Sequence, residues 1–216
     1  MKAIRKEILS AGHSKRPGGN YPKTSLTIHS TGNRESSARN ERMWLDNPTN
    51  RRDASWHYVV DKNTIIQAIP EAEEAWHAGH SHGNKYSIGI EICESGDRRK
   101  TLENAAEFVA GKLKGYGWGT DKIKKHQDWS GKNCPRILID KARVVGGMDW
   151  DWFIGRVEDS LKGEEEIVEK RYQTLEDVPE WGRWAIARLI EKGKFADIHR
   201  LNLSEDMIRT FVILDR

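Results

Sequence analysis

The stretch HQDWSGKNCP, residues 126–135, places a histidine and a cysteine eight positions apart with a lysine between them. Imidazole and thiolate are the side chains that zinc favours, and a catalytic zinc needs three protein ligands and one open position for water. His29, near the end of a β-rich run, offers a third such side chain beside His126 and Cys134. If the three converge, one Zn²⁺ held by them would lower the pKa of a bound water to about 7 and make hydroxide available.

Two charged residues could complete a hydrolytic site around such a metal. Glu91 lies within the apolar run SIGIEIC, and an acid in such a strand either faces a cleft or is paired with a cation. Glu91 is therefore our candidate for the general base or acid beside the water. Lys132, two residues before Cys134, is our candidate for the donor to a developing oxyanion.

The residues alone leave alternatives open for these assignments. A lone histidine at a strand end is more often structural than a ligand, and the spacing between His126 and Cys134 is not a standard short zinc motif. Cys134 could instead be a nucleophile with His126 as its base. Glu91 could be an ordinary ion-pair partner. A metal could also be structural, in which case a fourth protein ligand is needed; none is obvious, and His57 and Cys93 are the two to check.

The elements that must position these residues alternate between strands and helices. Runs rich in β-branched residues predict five strands within residues 24–30, 56–61, 64–70, 87–95 and 123–130, the second and third forming a hairpin. Apolar residues at helical spacing predict helices within residues 34–47, 101–118 and 148–163. This order predicts an α/β fold in which helices flank a mixed central β-sheet. His29 and His126 would then lie at strand ends and could meet at one rim of the sheet.

The composition changes after residue 161, which predicts a second, smaller unit. KGEEEIVEK, residues 162–170, is rich in charge, and we interpret it as a linker. Residues 171–216 contain two amphipathic patterns, the second with Ser204 as its N-cap, and predict a small all-helical module. In the first of these helices, Trp181 and Trp184 fall among the apolar positions.

Length, charge and cysteine content exclude several classes of protein. The chain has 216 residues with 36 basic and 33 acidic side chains, so it lacks the basic excess that is typical of nucleic-acid binders. No run approaches the roughly 20 apolar residues of a membrane span, which argues against membrane insertion. Residues 1–19 contain no apolar run suited to a signal peptide, and two cysteines do not make a disulfide scaffold. We therefore expect synthesis in a reducing cytoplasm.

Five ordered blocks of the sequence resemble a known enzyme family. The blocks are TIHSTGN at 27–33, WHYVVD at 56–61, AWHAG at 75–79, SIGIEIC at 87–93 and HQDWSGKNCP at 126–135. Together they resemble the zinc-dependent N-acetylmuramoyl-L-alanine amidases of the type-2 family, which are related to peptidoglycan recognition proteins. The resemblance covers about residues 1–160, and it is closest to the amidase domains of phage endolysins and of prophage-derived autolysins of Gram-positive bacteria.

The resemblance implies a role for each residue of the candidate site. His29, His126 and Cys134 match the three zinc ligands of the family. Glu91 matches the acid that many members use to activate water, and Lys132 matches a lysine that is important for catalysis in some phage members.

The resemblance also implies a substrate groove and contains one departure. His77 in AWHAG matches a position that lines the groove, and we assign its neighbour Trp76 to the same groove. Some relatives use a tyrosine where this chain has Trp56. Because the indole offers only an N–H donor, Trp56 cannot act as a phenol, and Glu91 must account for more of the proton transfer.

The function implied is that of an endolysin that acts on bacterial peptidoglycan. The enzyme would hydrolyse the amide bond between N-acetylmuramic acid and L-alanine of the stem peptide. It would be held in the host cytoplasm before lysis and then act on the cell wall. The alternative is a non-catalytic peptidoglycan-binding protein of the recognition-protein type, although such proteins often lack the ligand cysteine. Residues 171–216 would serve cell-wall attachment or self-association, or would pack onto the amidase domain, residues 1–161, for stability.

Overall fold

The computed structural model describes residues 2–162 and 171–214. The chain divides into two compact units, Met1–Lys162 and Gly163–Arg216. Lys162 ends a helix, and the rest of the predicted linker, residues 163–170, lies outside the described residues.

The first unit is built around a mixed β-sheet of six strands. The strands are β1 Ile4–Lys6, β2 Ser25–Ser30, β3 Tyr58–Val60, β4 Ile65–Gln67, β5 Ser87–Ile92 and β6 Ile123–Lys125. Their order across the sheet is β1-β4-β3-β5-β2-β6, and only the β3–β4 hairpin is antiparallel. The predicted α/β architecture and the predicted hairpin are therefore confirmed.

Helices flank this sheet. They are α1 Ala38–Asp46, α2 Ser81–Tyr86, α3 Arg98–Tyr116, α4 His126–Ser130, α5 Arg136–Ile139 and α6 Trp150–Lys162, with a 3₁₀ turn at Thr120–Lys122. None of the helices in the described parts of the chain is long and apolar enough to cross a membrane.

Alternating side chains of the strands build a core on each face of the sheet. Tyr58, Val60 and Ile65 pack into the core that contains residues of α3 and α6. Val59 and Ile66, which point to the opposite face, pack into the second core with residues of α1. The sheet is therefore covered on both sides, as parallel strands require.

Several boundaries and short elements differ from the sequence-based expectations. Helix α3 begins at Arg98 rather than in the segment starting at residue 101, because the Asp97 side chain accepts a hydrogen bond from Lys100 N and caps it. Strand β1 and helix α2 have no clear periodic pattern and were not predicted. His126 is the first residue of α4 and not the end of a strand, because the Asp128 carboxylate accepts a hydrogen bond from Lys125 N and starts a helix there.

The described part of the second unit, residues 171–214, contains two helices around a small apolar cluster. Helix α7 spans Glu180–Glu191 and α8 spans Glu205–Leu214. A Cβ added at Gly182 would lie 2.2 Å from Ile208 Cγ2, so the glycine allows the two helices to approach closely. The Ser204 hydroxyl accepts a hydrogen bond from Met207 N at 3.2 Å, as the predicted N-cap should. The predicted helical module is therefore confirmed, and an isolated β-bridge joins Tyr172 to Leu203.

Candidate metal centre

The central strand β2 gathers the candidate residues at one edge of the sheet. His29 on β2 is the register partner of Glu91 on the parallel strand β5. On the other side of β2, Ile28 pairs with Lys125, and His126 follows directly. Because parallel strands end at the same edge, these side chains meet at the carboxyl ends of the strands, where open α/β sheets bind ligands.

The side chains of His29, His126 and Cys134 form one group with metal-binding geometry. One ligating atom from each lies within 4.8 Å of the other two, and all three residues are buried. The two Nδ1 atoms are 2.9 Å apart, and Cys134 Sγ is 3.9 Å from His29 Nδ1. Tetrahedral zinc spaces such pairs of ligands by about 3.4 to 3.6 Å, so shifts of about 0.5 Å would bring the three donors to the spacing of this ion.

A fourth protein ligand is not found among the described residues. Cys93 packs in the apolar core on the α1 face of the sheet. The ring nitrogens of His57 are both engaged elsewhere, with the carbonyl oxygen of Glu73 and the N–H of Gly89, each at 2.9 Å. A metal held by the three described donors therefore keeps an open position, which is a property of catalytic rather than structural zinc sites.

A buried ion pair fixes the chain next to Cys134. The Arg136 guanidinium donates two hydrogen bonds to the Glu94 carboxylate, at 2.8 and 2.7 Å. Arg136 N donates to Ser30 Oγ at 3.1 Å, and Ser30 N donates to Cys134 Sγ at 3.4 Å. The segment after Cys134 is thus tied to the ends of β2 and β5, which holds the sulfur over His29.

Comparison with known protein families identifies the family to which this chain belongs. Residues 19–137 match the family described as N-acetylmuramoyl-L-alanine amidase, and this range includes every residue of the candidate site. The chain belongs to the N-acetylmuramoyl-L-alanine amidase family.

Relatives of this amidase-family chain come from Bacillus. It is 45% identical over 127 residues to the amidase CwlA of Bacillus subtilis, an alignment that covers 56% of this chain and 46% of CwlA. It is 30% identical over 214 residues to the amidase XlyA of the same species, which covers 96% of this chain and 68% of XlyA. The solved catalytic domain of XlyA matches with a TM-score of 0.65 and 33% identity, over 72% of this chain and 99% of the domain.

The aligned region is only part of each of these relatives. The chain spans about half the length of curated relatives that it matches, 46% of CwlA and 43% of the amidase XlyB of Bacillus subtilis.

Desolvation sets the protonation of the three ligand candidates in this amidase-family site. Burial lowers the pKa of His29 well below its ordinary value and that of His126 to about 4, so both rings are neutral and can offer a lone pair. Burial raises the pKa of the Cys134 thiol to about 12. Without a metal, Cys134 would therefore be a poor nucleophile, which argues against the alternative of a Cys134–His126 pair.

Glu91 and Lys132 face the same groove next to these donors. The groove has a volume of about 1260 Å³, and Trp76 and His77 line it as well. The pKa of the Glu91 carboxyl is raised to about 8, mainly by desolvation and also by the charge of Glu41, while the charge of Lys132 opposes the shift. Lys132 is exposed on the groove. The structure thus brings together all seven residues that the sequence singled out.

The groove also contains residues that sequence reasoning missed. The arginines Arg34, Arg51 and Arg52 line it, as does the buried acid Glu41. The adjacent arginines Arg51 and Arg52, between a predicted helix and a predicted strand, were a sequence signal of a basic rim, whereas Glu41 lies on α1 and gave none. Trp56 is buried and stacks on Trp44 with ring centroids 5.8 Å apart, so it forms a wall of the groove.

Proposed function

We propose that this chain is a zinc-dependent amidase that hydrolyses the amide bond between N-acetylmuramic acid and L-alanine of the peptidoglycan stem peptide. The observation that supports this most is the set of three buried donors with an open fourth position beside Glu91 and Lys132 in one groove. Family membership and the named amidase relatives support the same activity.

The donor set suits zinc better than a harder cation. Two neutral imidazoles and one cysteine are ligands that Zn²⁺ prefers, whereas Mg²⁺ and Ca²⁺ prefer oxygen. When bound, zinc is a Lewis acid that polarises a carbonyl group and lowers the pKa of water.

Glu91 moves the proton in this proposal. Its carboxyl takes a proton from the attacking water and delivers it to the nitrogen of the departing L-alanine, because amide cleavage requires that the leaving amine be protonated. A carboxyl whose pKa is raised by desolvation both accepts and returns a proton near neutral pH.

Lys132 and Trp76 act on the substrate. The Lys132 ammonium lies on the groove two residues before Cys134, where it can donate to the oxygen that becomes negative during attack. Trp76 is partly exposed on the same groove and offers an apolar face to the glycan or peptide.

Metal content and activity on one sample test this proposal. Zinc per chain is measured on the purified protein, and peptidoglycan is digested with and without a chelator. We expect about one zinc, consistent with one three-ligand site, and chelator-sensitive release of peptides with new N-terminal alanine. Bound zinc without new alanine termini would instead support a non-catalytic peptidoglycan-binding protein. A protein that binds no zinc would exclude the proposed ligand set.

We propose that the second unit attaches the enzyme to the cell wall, with self-association as the alternative. The support is its exposed apolar side chains, among them Trp181 and Trp184 at 43% and 42% exposure. Action as an endolysin, held in the host cytoplasm until lysis, is the biological setting that the resemblance favours.

A further inference from the structure

His77 lies between a ligand candidate and the backbone of strand β5. Its Nδ1 is 3.0 Å from His29 Nε2, and its Nε2 is 3.3 Å from the carbonyl oxygen of Ser87. The residue is 7% exposed. Both polar atoms of the ring therefore have protein partners, although the residue borders the groove.

The acceptor at one end of this chain of hydrogen bonds sets the direction of the others. The Ser87 carbonyl oxygen can only accept, so His77 Nε2 must donate to it. In the neutral ring Nδ1 then has a lone pair, and the donor between the two histidines must be His29 Nε2–H. His29 is left with a bare Nδ1, and this is the atom that faces His126 and Cys134.

The other histidine is oriented by the next residue of the same loop. His126 hydrogen-bonds to the backbone of Ala78. A Cβ added at Gly79 would lie 3.7 Å from His126 Nε2, so Nε2 is the atom on the loop side. If Nε2 donates to the Ala78 carbonyl oxygen, His126 Nδ1 is bare as well. Two nitrogen lone pairs then face each other at 2.9 Å, an arrangement that a bound cation stabilises.

The loop that provides both partners is held in place by side chains beyond the groove. The Asn84 side-chain oxygen accepts hydrogen bonds from His77 N at 3.1 Å and Ala78 N at 2.8 Å. A Cβ at Gly89 would lie 2.6 Å from His77 Cγ, so only glycine leaves room for the imidazole against β5.

We propose that His77 is a positioning residue that fixes the tautomer and ring orientation of His29 for metal binding, and that the Ala78 carbonyl does the same for His126. Segment 75–79 then provides the hydrogen-bond partners that orient both histidine ligands. This inference rests on the metal of the proposed function, and it replaces direct substrate contact as the main role of His77.

Zinc affinity of the holoenzyme, measured by competition with a chelator, tests the role of His77. We expect His77→Phe, which keeps a ring but removes both polar atoms, to weaken zinc binding by about 10- to 100-fold. His77→Asn keeps an acceptor near the position of Nδ1 and should recover part of this loss. The matched control is His57→Phe, since His57 is equally buried and contacts His77 but no ligand candidate. Its zinc affinity should stay within about twofold of wild type, because it loses no support of a ligand.

Nuclear magnetic resonance of the wild-type holoenzyme tests the direction of the hydrogen bond even if the His77 variants fail to fold. With ¹⁵N-labelled histidine, we expect the proton on His29 Nε2 and a scalar coupling across the hydrogen bond to His77 Nδ1. A proton on His77 Nδ1 would overturn the inference, as would unchanged zinc affinity in a folded His77→Phe protein. Wild-type protein that binds no zinc would instead refute the proposed function itself.

Discussion

Among the site residues, Glu91 has the surroundings that most favour a catalytic role. Its Oε2 is buried without a hydrogen-bond partner among the described residues, although the residue as a whole is partly exposed to the groove. A buried acceptor without a partner lowers the free energy of unfolding by about 1–3 kcal/mol. A carboxylate in this position is therefore explained by function and not by stability. A substrate N–H or a water at the metal would provide the missing donor.

Glu91→Gln should remove most of the activity and leave the metal in place. The amide has nearly the same shape but cannot accept the proton of water, so we expect turnover to fall by about 10²- to 10⁴-fold. Zinc per chain and the release of N-terminal alanine are measured together. Glu41→Gln, which alters another carboxyl of the groove, is the matched control and should lower turnover far less. Near-normal turnover of Glu91→Gln with zinc still bound would show that Glu91 is not the base.

Lys132→Met should lower kcat while zinc content stays unchanged. The substitution keeps most of the length of the side chain and removes the cation that we propose donates to the oxyanion, a loss worth about 10²- to 10³-fold in kcat. Lys132→Arg keeps the charge and should retain part of the rate. Steady-state kinetics on purified muropeptides separate kcat from KM. An increase in KM alone would assign Lys132 to substrate binding and not to the chemical step.

At the level of elements, the central strands could be predicted from the sequence, whereas helix α2 and the contacts that hold the site residues in place could not. Strands β2 and β5 are central and parallel, so both their faces are buried, and their Leu, Ile and Thr residues provide the sequence signal of a strand. Helix α2 has no such pattern, because it depends on tertiary contacts such as the packing of Gly83 against Trp129. Sequence spacing likewise could not show that His77 supports His29, since the two are 48 residues apart.

The ion pair between Arg136 and Glu94 holds the segment after Cys134 in place. The Glu94 side chain is 1% exposed and that of Arg136 is 28% exposed. Desolvation alone would raise the pKa of Glu94, but the hydrogen bonds and charge of Arg136 outweigh it and lower the pKa below its ordinary value. The pair therefore stabilises the fold above the pKa of an unfolded glutamate, and this contribution is lost as pH falls through the lower, folded pKa.

Arg136→Met should destabilise the protein at pH 7 more than at acid pH. The variant leaves the Glu94 carboxylate buried without its cation, at a cost of about 3 kcal/mol at pH 7. As the pH falls through the folded pKa of Glu94 the wild-type carboxyl is protonated and the ion pair is lost, so the difference between variant and wild type should shrink. Urea unfolding at both pH values measures this difference. The double variant with Glu94→Gln should recover part of the loss at pH 7, and a cost independent of pH would contradict the assigned role of the pair.

At the scale of the whole molecule, the two units have separable properties. The proposed site lies entirely within the first unit, and the catalytic domain of XlyA, solved by itself, has the same fold over nearly its full length. Residues 1–162 should therefore fold and hydrolyse soluble muropeptides without the rest of the chain.

The exposed tryptophans of α7 are the side chains most suited to hold the second unit on a cell wall. Ile186 and Ile208 are fully buried between α7 and α8, whereas Trp181 and Trp184 are 43% and 42% exposed, so replacing both tryptophans should disturb the fold less than replacing either isoleucine. We expect Trp181→Ala with Trp184→Ala to reduce binding to purified walls as much as truncation to residues 1–162 does. Ile198→Ala, at 45% exposure in wild type, is the matched control.

The same variants separate wall attachment from self-association. Wall binding is measured by pull-down, association by sedimentation at several protein concentrations, and hydrolysis on soluble muropeptides, which need no attachment. If attachment is the role, wall binding falls in the tryptophan variant while its sedimentation and soluble activity match wild type. Unchanged wall binding after truncation would exclude attachment. A wild-type oligomer that dissociates in the tryptophan variant would assign these side chains to self-association, because loss of exposed apolar area weakens such an interface directly.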